Sequence, residues 1–110
     1  MAAPPIDRWT VSGLQSKLHN HPALRHLRVT KRGLLLTLVS GSEDDPWRHV
    51  RFRRDTVHLW RLEVAVRGNK WERTPFRTHI DELLEILTTD LSWVIAPVVE
   101  NPGGTSDPRY

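Results

Sequence analysis

Apolar residues near the C-terminal end of the chain recur with the period of a helix. They occupy positions i, i+3, i+4, i+7 and i+11, namely Ile80, Leu83, Leu84, Leu87 and Leu91. This spacing places them on one face of an α-helix. Thr78–Asp81 resembles a capping box, and the acidic residues after it suit the positive end of the helix dipole. The pattern predicts an amphipathic helix that ends near Asp90.

A looser helical spacing at the N-terminal end predicts a short helix over residues 11–20. Ser12 is the expected N-cap, and Pro22 ends or interrupts the helix. A helical turn over residues 23–26 is consistent with the sequence that follows.

Strand-like patterns occupy the chain between these helices. They cover residues 27–30, 34–39, 48–53, 56–67 and 70–73. The run 34–39 is typical of a buried strand, whereas alternation in 48–53 turns Val50 and Phe52 toward the core. In the fourth stretch the side chains expected to face the core are His58, Trp60, Leu62, Val64 and Val66.

Turn signals complete the prediction for the strands. Gly68–Asn69 predicts a tight hairpin, and Pro75 is expected to stop the strand before it. Residues 93–95 are expected to form a short strand or to cover the core.

The order of these elements predicts an α+β fold. We expect a two-layer sandwich, in which an antiparallel meander of four to five strands carries the short N-terminal helix and the C-terminal amphipathic helix on one face. The alternative is a small, strongly bent sheet that closes toward a barrel around the long helix. We expect a flexible lead-in at residues 1–5, a single α+β domain at 6–99 and a disordered tail at 100–110.

Composition narrows the classes of function. The 110 residues include no cysteine, which excludes disulfides, thiolate metal sites and a cysteine nucleophile. We recognise neither a secretory signal nor an apolar run long enough to span a membrane, so a cytoplasmic location is expected. No cofactor motif is recognised, and histidines 19, 21 and 26 are interpreted as solvated side chains rather than metal ligands.

Charge is segregated along the chain. Residues 1–77 carry 15 Lys and Arg against seven Asp and Glu, whereas residues 78–110 carry one basic and six acidic residues. If the predicted helices and sheet pack face to face, one side of the sheet is basic and the helix side is acidic. A basic face of this kind suits phosphate groups or an acidic protein, and it is also an ordinary solvated sheet surface.

Two nucleic-acid modules can be compared with this pattern. The order helix, strands, helix resembles that of the double-stranded-RNA-binding domain, but Asp81 and Glu82 lie where that module needs basic residues. An RNA-recognition motif needs aromatic residues on a central strand, where this chain has leucines over 34–38. Both modules are therefore disfavoured.

Five tryptophans are the other notable feature. Trp60 and Trp93 are expected in the core, and Trp47 and Trp71 are expected to be more exposed. The segment Trp71–Arg77 is interpreted as a loop that contacts a partner.

The sequence thus favours a small non-enzymatic accessory protein that binds another protein. The predicted contact residues are Arg48, Arg51, Arg53, Arg61, Trp47, Trp71, Arg73 and Arg77. Sequence-tolerant nucleic-acid binding by the same face is the alternative, and a homodimer is compatible with the pattern. A small RNase-like enzyme is a third reading, for which His49, His58, Arg51 and Arg53 are the candidate residues. Replacing Arg51 and Arg53 by Glu is expected to leave stability nearly unchanged and to abolish binding.

Overall fold

A computed structural model describes residues 4–66 and 70–96, which form two helices and five strands. In chain order these are α1 (Arg8–Asn20), β1 (Arg28–Arg32), β2 (Leu35–Ser40), β3 (Trp47–Arg54), β4 (Trp60–Val66), β5 (Lys70–Thr78) and α2 (Ile80–Thr88). Neither helix among these described residues is long and apolar enough to cross a membrane. Most of the predicted lead-in and the whole predicted tail lie outside the described residues, as does the predicted turn at Gly68–Asn69.

The five strands form one antiparallel sheet in the order β1-β2-β3-β4-β5, which confirms the predicted meander. Both helices contribute to a single core, through Leu14 and Leu18 of α1 and Leu83, Leu84 and Leu87 of α2. The sheet contributes buried residues of β2, β3 and β4 to the same cluster, namely Leu36, Leu38, Val50, Phe52, Trp60, Leu62 and Val64. The fold is therefore α+β. The predicted apolar stripe is confirmed for Leu83, Leu84 and Leu87, whereas Leu91 lies beyond the end of α2.

Helix α1 begins earlier than its sequence pattern indicates. The N-cap is Asp7 rather than Ser12, because the Asp7 carboxylate accepts hydrogen bonds of 2.8 Å from both the backbone N–H and the hydroxyl of Thr10. These bonds hold the pKa of Asp7 below its ordinary value of 3.8, and the charge of Arg54 lowers it further. A strong cap thus outweighs the weak helix propensity of Gly13.

Helix α2 is shorter than predicted and is capped differently. It ends at Thr88 rather than near Asp90, and the N-cap His79 makes no side-chain capping bond. The Thr78 hydroxyl instead donates to the Glu82 carboxylate at 2.7 Å, so the predicted capping box does not form.

Strand β4 begins four residues later than predicted. Residues 55–59 form a turn, in which the N–H groups of Asp55 and Thr56 both donate to the Leu59 carbonyl, at 2.9 and 3.1 Å. The Leu59 N–H in turn donates to the Thr56 hydroxyl at 3.1 Å. His58 is therefore exposed in a turn, and its predicted place in the core is wrong.

Strand β5 continues through Pro75 to Thr78, so the predicted stop at this proline is wrong. Proline lacks the N–H that a sheet ladder uses, but β5 is an edge strand, where that loss is tolerated. The register also shifts here, since Arg61 opposes Arg77 while Glu63 opposes Arg73. The irregularity places Pro75 outside regular pairing.

Residues 91–96 form turns rather than a strand. Ile95 is buried in the core cluster, so the segment does cover part of the core. Trp93, however, is 72% exposed, and its predicted burial is wrong, whereas the burial of Trp60 is confirmed. Because α2 ends at Thr88, helical spacing does not predict which side chains of residues 91–96 face the core.

The core predicts the cost of truncating α2. Replacing the fully buried Leu83 by Ala should destabilise the protein by about 2–5 kcal/mol, because it removes buried methyl groups and leaves a cavity. Urea denaturation measures this change, with the exposed Glu85→Ala on the same helix as control. Equal stability of the two variants would contradict this assignment of the core.

The Asp7 cap predicts a pH dependence. Because its pKa is lowered in the folded state, the ionised carboxylate stabilises the protein above pH 3.8 and this contribution is lost as the pH falls through the lowered value. Asp7→Asn keeps a good capping side chain but does not titrate. We expect the difference in Tm between wild type and Asp7→Asn to shrink from pH 6 to pH 2.5, and a constant difference would contradict this role.

Candidate binding face

The side of the sheet opposite the helices carries a dense array of arginines, which we call the outer face. Directly opposed residues on paired strands point to the same side of a sheet. The register therefore places two rows of side chains on this side. One row is Arg32, Leu35, Arg53, Arg61 and Arg77, and the next is Thr30, Thr37, Arg51, Glu63 and Arg73. Each row crosses all five strands.

Glu63 lies at the centre of the outer face and is almost fully buried there, with its side chain 4% exposed. The Nε of Arg51 donates to one carboxylate oxygen, and the Nε of Arg53 donates to the other at 3.5 Å. Arg73 Nε lies 3.8 Å from the same second oxygen. Three cations drawn from β3 and β5 thus surround one carboxylate on β4. Alternation assigns Glu63 to this face, but its burial follows from the register.

Trp71 adds an aromatic group to the cluster. In the register it opposes Ala65, one row beyond Glu63. The guanidinium carbon of Arg51 lies 4.5 Å from the centroid of the Trp71 ring, within the range of a cation–π contact. Arg51 is therefore held between a carboxylate and an aromatic ring.

A second carboxylate, Asp55, sits at the end of β3 beside the first row. Arg77 Nε donates to it, and Arg61 Nε lies 3.6 Å away. The hydrogen bond from Arg77 holds the pKa of Asp55 below its ordinary value, and the charges of Arg77 and Arg61 add to this effect.

The outer face retains a surplus of positive charge and of donors. Among the described residues of these two rows and Asp55 beside them, two carboxylates oppose six arginines, of which Arg73 is 82% and Arg61 51% exposed in the side chain. In the described part of the chain, the arginines at the two carboxylates make their closest contacts through Nε. Within that same part of the chain, their terminal nitrogens make no hydrogen bond. A planar guanidinium group with these donors unused suits a carboxylate or phosphate oxygen pair.

The structure brings seven of the eight predicted contact residues to the outer side of the sheet. Arg51, Arg53, Arg61, Trp71, Arg73 and Arg77 share the outer face. The exposed Arg48 lies beyond a register shift but opposes Val39, which alternates with Leu35 and Thr37 on the same side, whereas Trp47 opposes Ser40. The segment Trp71–Arg77 is part of strand β5 rather than a loop, so that prediction is wrong.

Burial also changes the expectation for a charge reversal at Arg51 and Arg53. The Arg51 side chain is only 19% exposed and binds the buried Glu63. A glutamate at position 51 would face Glu63 at close range in a site with little water. We therefore expect the double replacement to destabilise the protein, and Arg61 and Arg73 are the better positions for a test of binding.

His49 is separated from the outer face by a β-bulge. Leu38 opposes Val50 while Val39 opposes Arg48, so His49 is an extra residue on β3. It is buried, its Nδ1 donates to the Val94 carbonyl at 2.9 Å, and its Nε2 accepts from the Ser40 hydroxyl at 2.7 Å. Strict alternation along β3 predicts that His49 lies on the same side as Arg51, and the bulge makes this prediction wrong.

The four residues considered for an RNase-like site are therefore not assembled. His49 is buried, and His58 lies in the exposed turn beyond β3, with its ring 6.5 Å from that of His79. Neither histidine is placed beside Arg51 on the outer face.

The N-terminal histidines have separate contacts. His26 Nε2 donates to the Ile95 carbonyl at 2.6 Å, and His21 Nδ1 accepts from the Ala23 N–H at 3.1 Å. Among the described residues, no three His, Asp or Glu side chains are grouped to hold a metal ion.

The helix side of the molecule differs in charge from the outer face. Asp81, Glu82 and Glu85 are exposed on α2. A groove of about 470 Å³ runs between α1 and α2, and an ion pair from Lys17 to Asp81 spans the two helices. This side therefore carries acidic groups, as the segregation of charge along the chain predicts.

No protein-family model, curated protein or solved structure matches the chain. The candidate site accordingly rests on the geometry of the outer face alone.

The Glu63 cluster predicts a large effect of removing one charge. Glu63→Gln keeps the shape of the side chain but leaves the largely buried Arg51 without its counter-ion. Removing one partner of a buried ion pair costs about 3–5 kcal/mol, and we expect about 3 kcal/mol because the arginines reach solvent. Urea denaturation measures the loss, with the exposed Glu72→Gln on β5 as control. A loss no larger than that of the control would contradict the role of Glu63.

Proposed function

We propose that this chain is a small, non-enzymatic accessory protein whose outer face binds an acidic surface or segment of another protein. The surplus of arginines whose terminal nitrogens are unused within the described chain supports this proposal. Arginines held by Nε contacts are oriented before binding, so less side-chain entropy is lost when a ligand binds. Carboxylates are the groups on protein surfaces that match these donors.

The aromatic content of the outer face favours a protein over a single-stranded nucleic acid. Proteins that bind single strands stack successive bases on several aromatic side chains. Among the described residues of the outer face, Trp71 is the aromatic one, and the Arg51 guanidinium lies over its ring. A nucleic acid would compete for the outer face through contacts between its phosphates and the arginines, without stacking of successive bases.

We also propose that the protein acts in the cytoplasm. A fold of this size without cysteine is ordinary in a reducing compartment.

A charge-reversal pair tests the outer face. Arg61→Glu with Arg73→Glu changes two exposed side chains of the face, whereas Arg8→Glu with Lys31→Glu makes the same change in net charge on the helix side. The probe is a fluorescent 12-residue peptide rich in Glu, and the readout is anisotropy. We expect the outer-face pair to weaken binding about tenfold or more, since a charge-assisted hydrogen bond contributes about 1.5–3 kcal/mol. The control pair should change the Kd less than about threefold.

Equal weakening by both pairs would show that only net charge matters and would overturn the proposal. A single-stranded oligonucleotide of the same length is titrated in parallel over a salt series. If it binds tighter than the peptide, with a log–log salt slope that reflects several phosphate contacts, nucleic acid is the ligand of this face and the proposal of a protein partner fails.

A further inference from the structure

Strands β1 and β5 form the two edges of the described sheet, and they differ in how far their backbone groups are available to an added strand. At the β1 edge, a side chain of α1 occupies these groups. The side-chain amide of Gln15, on α1, accepts from the Val29 N–H at 2.9 Å and donates to the Leu27 carbonyl at 3.1 Å. These are the bonds that a neighbouring strand would make. The helix therefore occupies the edge of β1 at this point and blocks the addition of a strand.

The C-terminal half of β5 is blocked by other means. Pro75 has no N–H, and the Thr74 hydroxyl donates to the Leu62 carbonyl at 2.8 Å while accepting from the Phe76 N–H at 3.2 Å. The register with β4 shifts here and Pro75 offers no N–H, so this half of β5 presents no regular row of backbone groups to an added strand.

The N-terminal half of β5 is regular, and the direction of its backbone groups can be assigned. In the part of the chain that the structure describes, no strand pairs with β5 on the side away from β4. The direction of backbone N–H and carbonyl groups alternates along a strand. The Leu62 carbonyl points toward β5, because it accepts a hydrogen bond from the Thr74 hydroxyl. By alternation, the carbonyls of Glu63 and Ala65 point the other way, toward β3. Arg73 opposes Glu63 and Trp71 opposes Ala65. The backbone groups of Trp71 and Arg73 therefore point away from β4, to the outer edge of the sheet.

The hydrogen bonds between β2 and β3 give independent support for this orientation of the backbone groups. The Arg54 N–H donates to the Leu34 carbonyl at 2.9 Å and so points away from β4. Alternation then directs Arg51 and its partner Glu63 toward each other. Both observations give the same orientation for Trp71 and Arg73.

We propose that this open edge, residues Trp71–Arg73, binds an extended acidic segment of a partner protein as a sixth strand. The inference rests on the proposed function and specifies the conformation of the partner. Main-chain hydrogen bonds to Trp71 and Arg73 would supply a sequence-independent part of the affinity. Every second side chain of the added strand would lie beside Arg73 on the outer face, so carboxylates at alternate positions would extend the row that contains Glu63.

Charge argues against a second copy of this chain as the occupant. An antiparallel pair of β5 strands would bring Lys70 and Arg73 of one copy close to the same basic side chains of the other. It would also join two outer faces that each carry a surplus of arginine. Like charges across a strand pair are destabilising, whereas an acidic strand meets opposite charge.

Two substitutions of Arg73 distinguish the contribution of its backbone N–H to binding from the contribution of its charge. Arg73→Ala removes the guanidinium group and keeps the N–H, whereas Arg73→Pro also removes the N–H that points outward and leaves the bonds to β4 intact. The probe is a peptide with Glu at alternate positions and Thr or Val between. We expect Arg73→Ala to weaken its binding severalfold and Arg73→Pro to weaken it about tenfold further.

A second measurement needs no variant. Amide hydrogen exchange at Trp71 and Arg73 of the wild-type protein should slow when the peptide is added, while exchange at the Glu72 N–H, which points toward β4, should not change. This measurement decides the question if Arg73→Pro fails to fold.

The outcomes distinguish the two proposals. If Arg73→Pro binds like Arg73→Ala, and Trp71 and Arg73 exchange unchanged, strand addition is wrong while the outer-face charge reversal can still show acidic binding. If that charge reversal leaves peptide affinity unchanged, the proposed function fails. Slow exchange at both residues without peptide, with a concentration-dependent dimer in sedimentation, would identify a second copy as the occupant and overturn this proposal.

Discussion

The arrangement of the outer face depends on one constraint, the burial of the Glu63 carboxylate. A carboxylate with 4% of its side chain exposed must be paired, and its partners come from both neighbouring strands. Arg51 and Arg53 can reach it only if β3 is in its observed register, and Arg73 only if β5 is. A slip of either strand by one residue would turn the arginines of that strand to the core side and remove their charges from Glu63.

Local periodicity accounts for the parts of the fold that could be predicted from the sequence. The Leu83–Leu87 stripe, the inward Val50 and Phe52 and the meander each follow from patterns within about a dozen residues. The errors have causes outside such a window. Pro75 is tolerated because β5 happens to be an edge, and His49 turns inward because its bulge meets Ser40 and Val94. Of the predicted contact residues, Arg51, Arg53 and Arg61 were predictable from alternation. Trp71, Arg73 and Arg77 reach the outer face because the segment expected to be a loop is strand β5, and the cluster around Glu63 required the register of three strands.

The two sides of the sheet are stabilised by different kinds of contact. The helices bury the apolar side of the sheet and, through Gln15, finish the edge of β1. The opposite side has no helix over it in the described chain, and its side chains are held by contacts among charged groups and Trp71. Such contacts order the arginines without consuming their terminal donors. Rigidity and an accessible cationic surface are therefore compatible here.

The bulge at His49 gives β3 two phases of alternation. Before it, Trp47 opposes Ser40, whose hydroxyl turns inward to the imidazole, whereas after it Val50 and Phe52 face inward. The loop at residues 41–46 joins only the first of these two segments. Insertions or deletions in that loop are thereby insulated from the arginine rows, and its length can vary without rotating Arg51 and Arg53 out of the outer face.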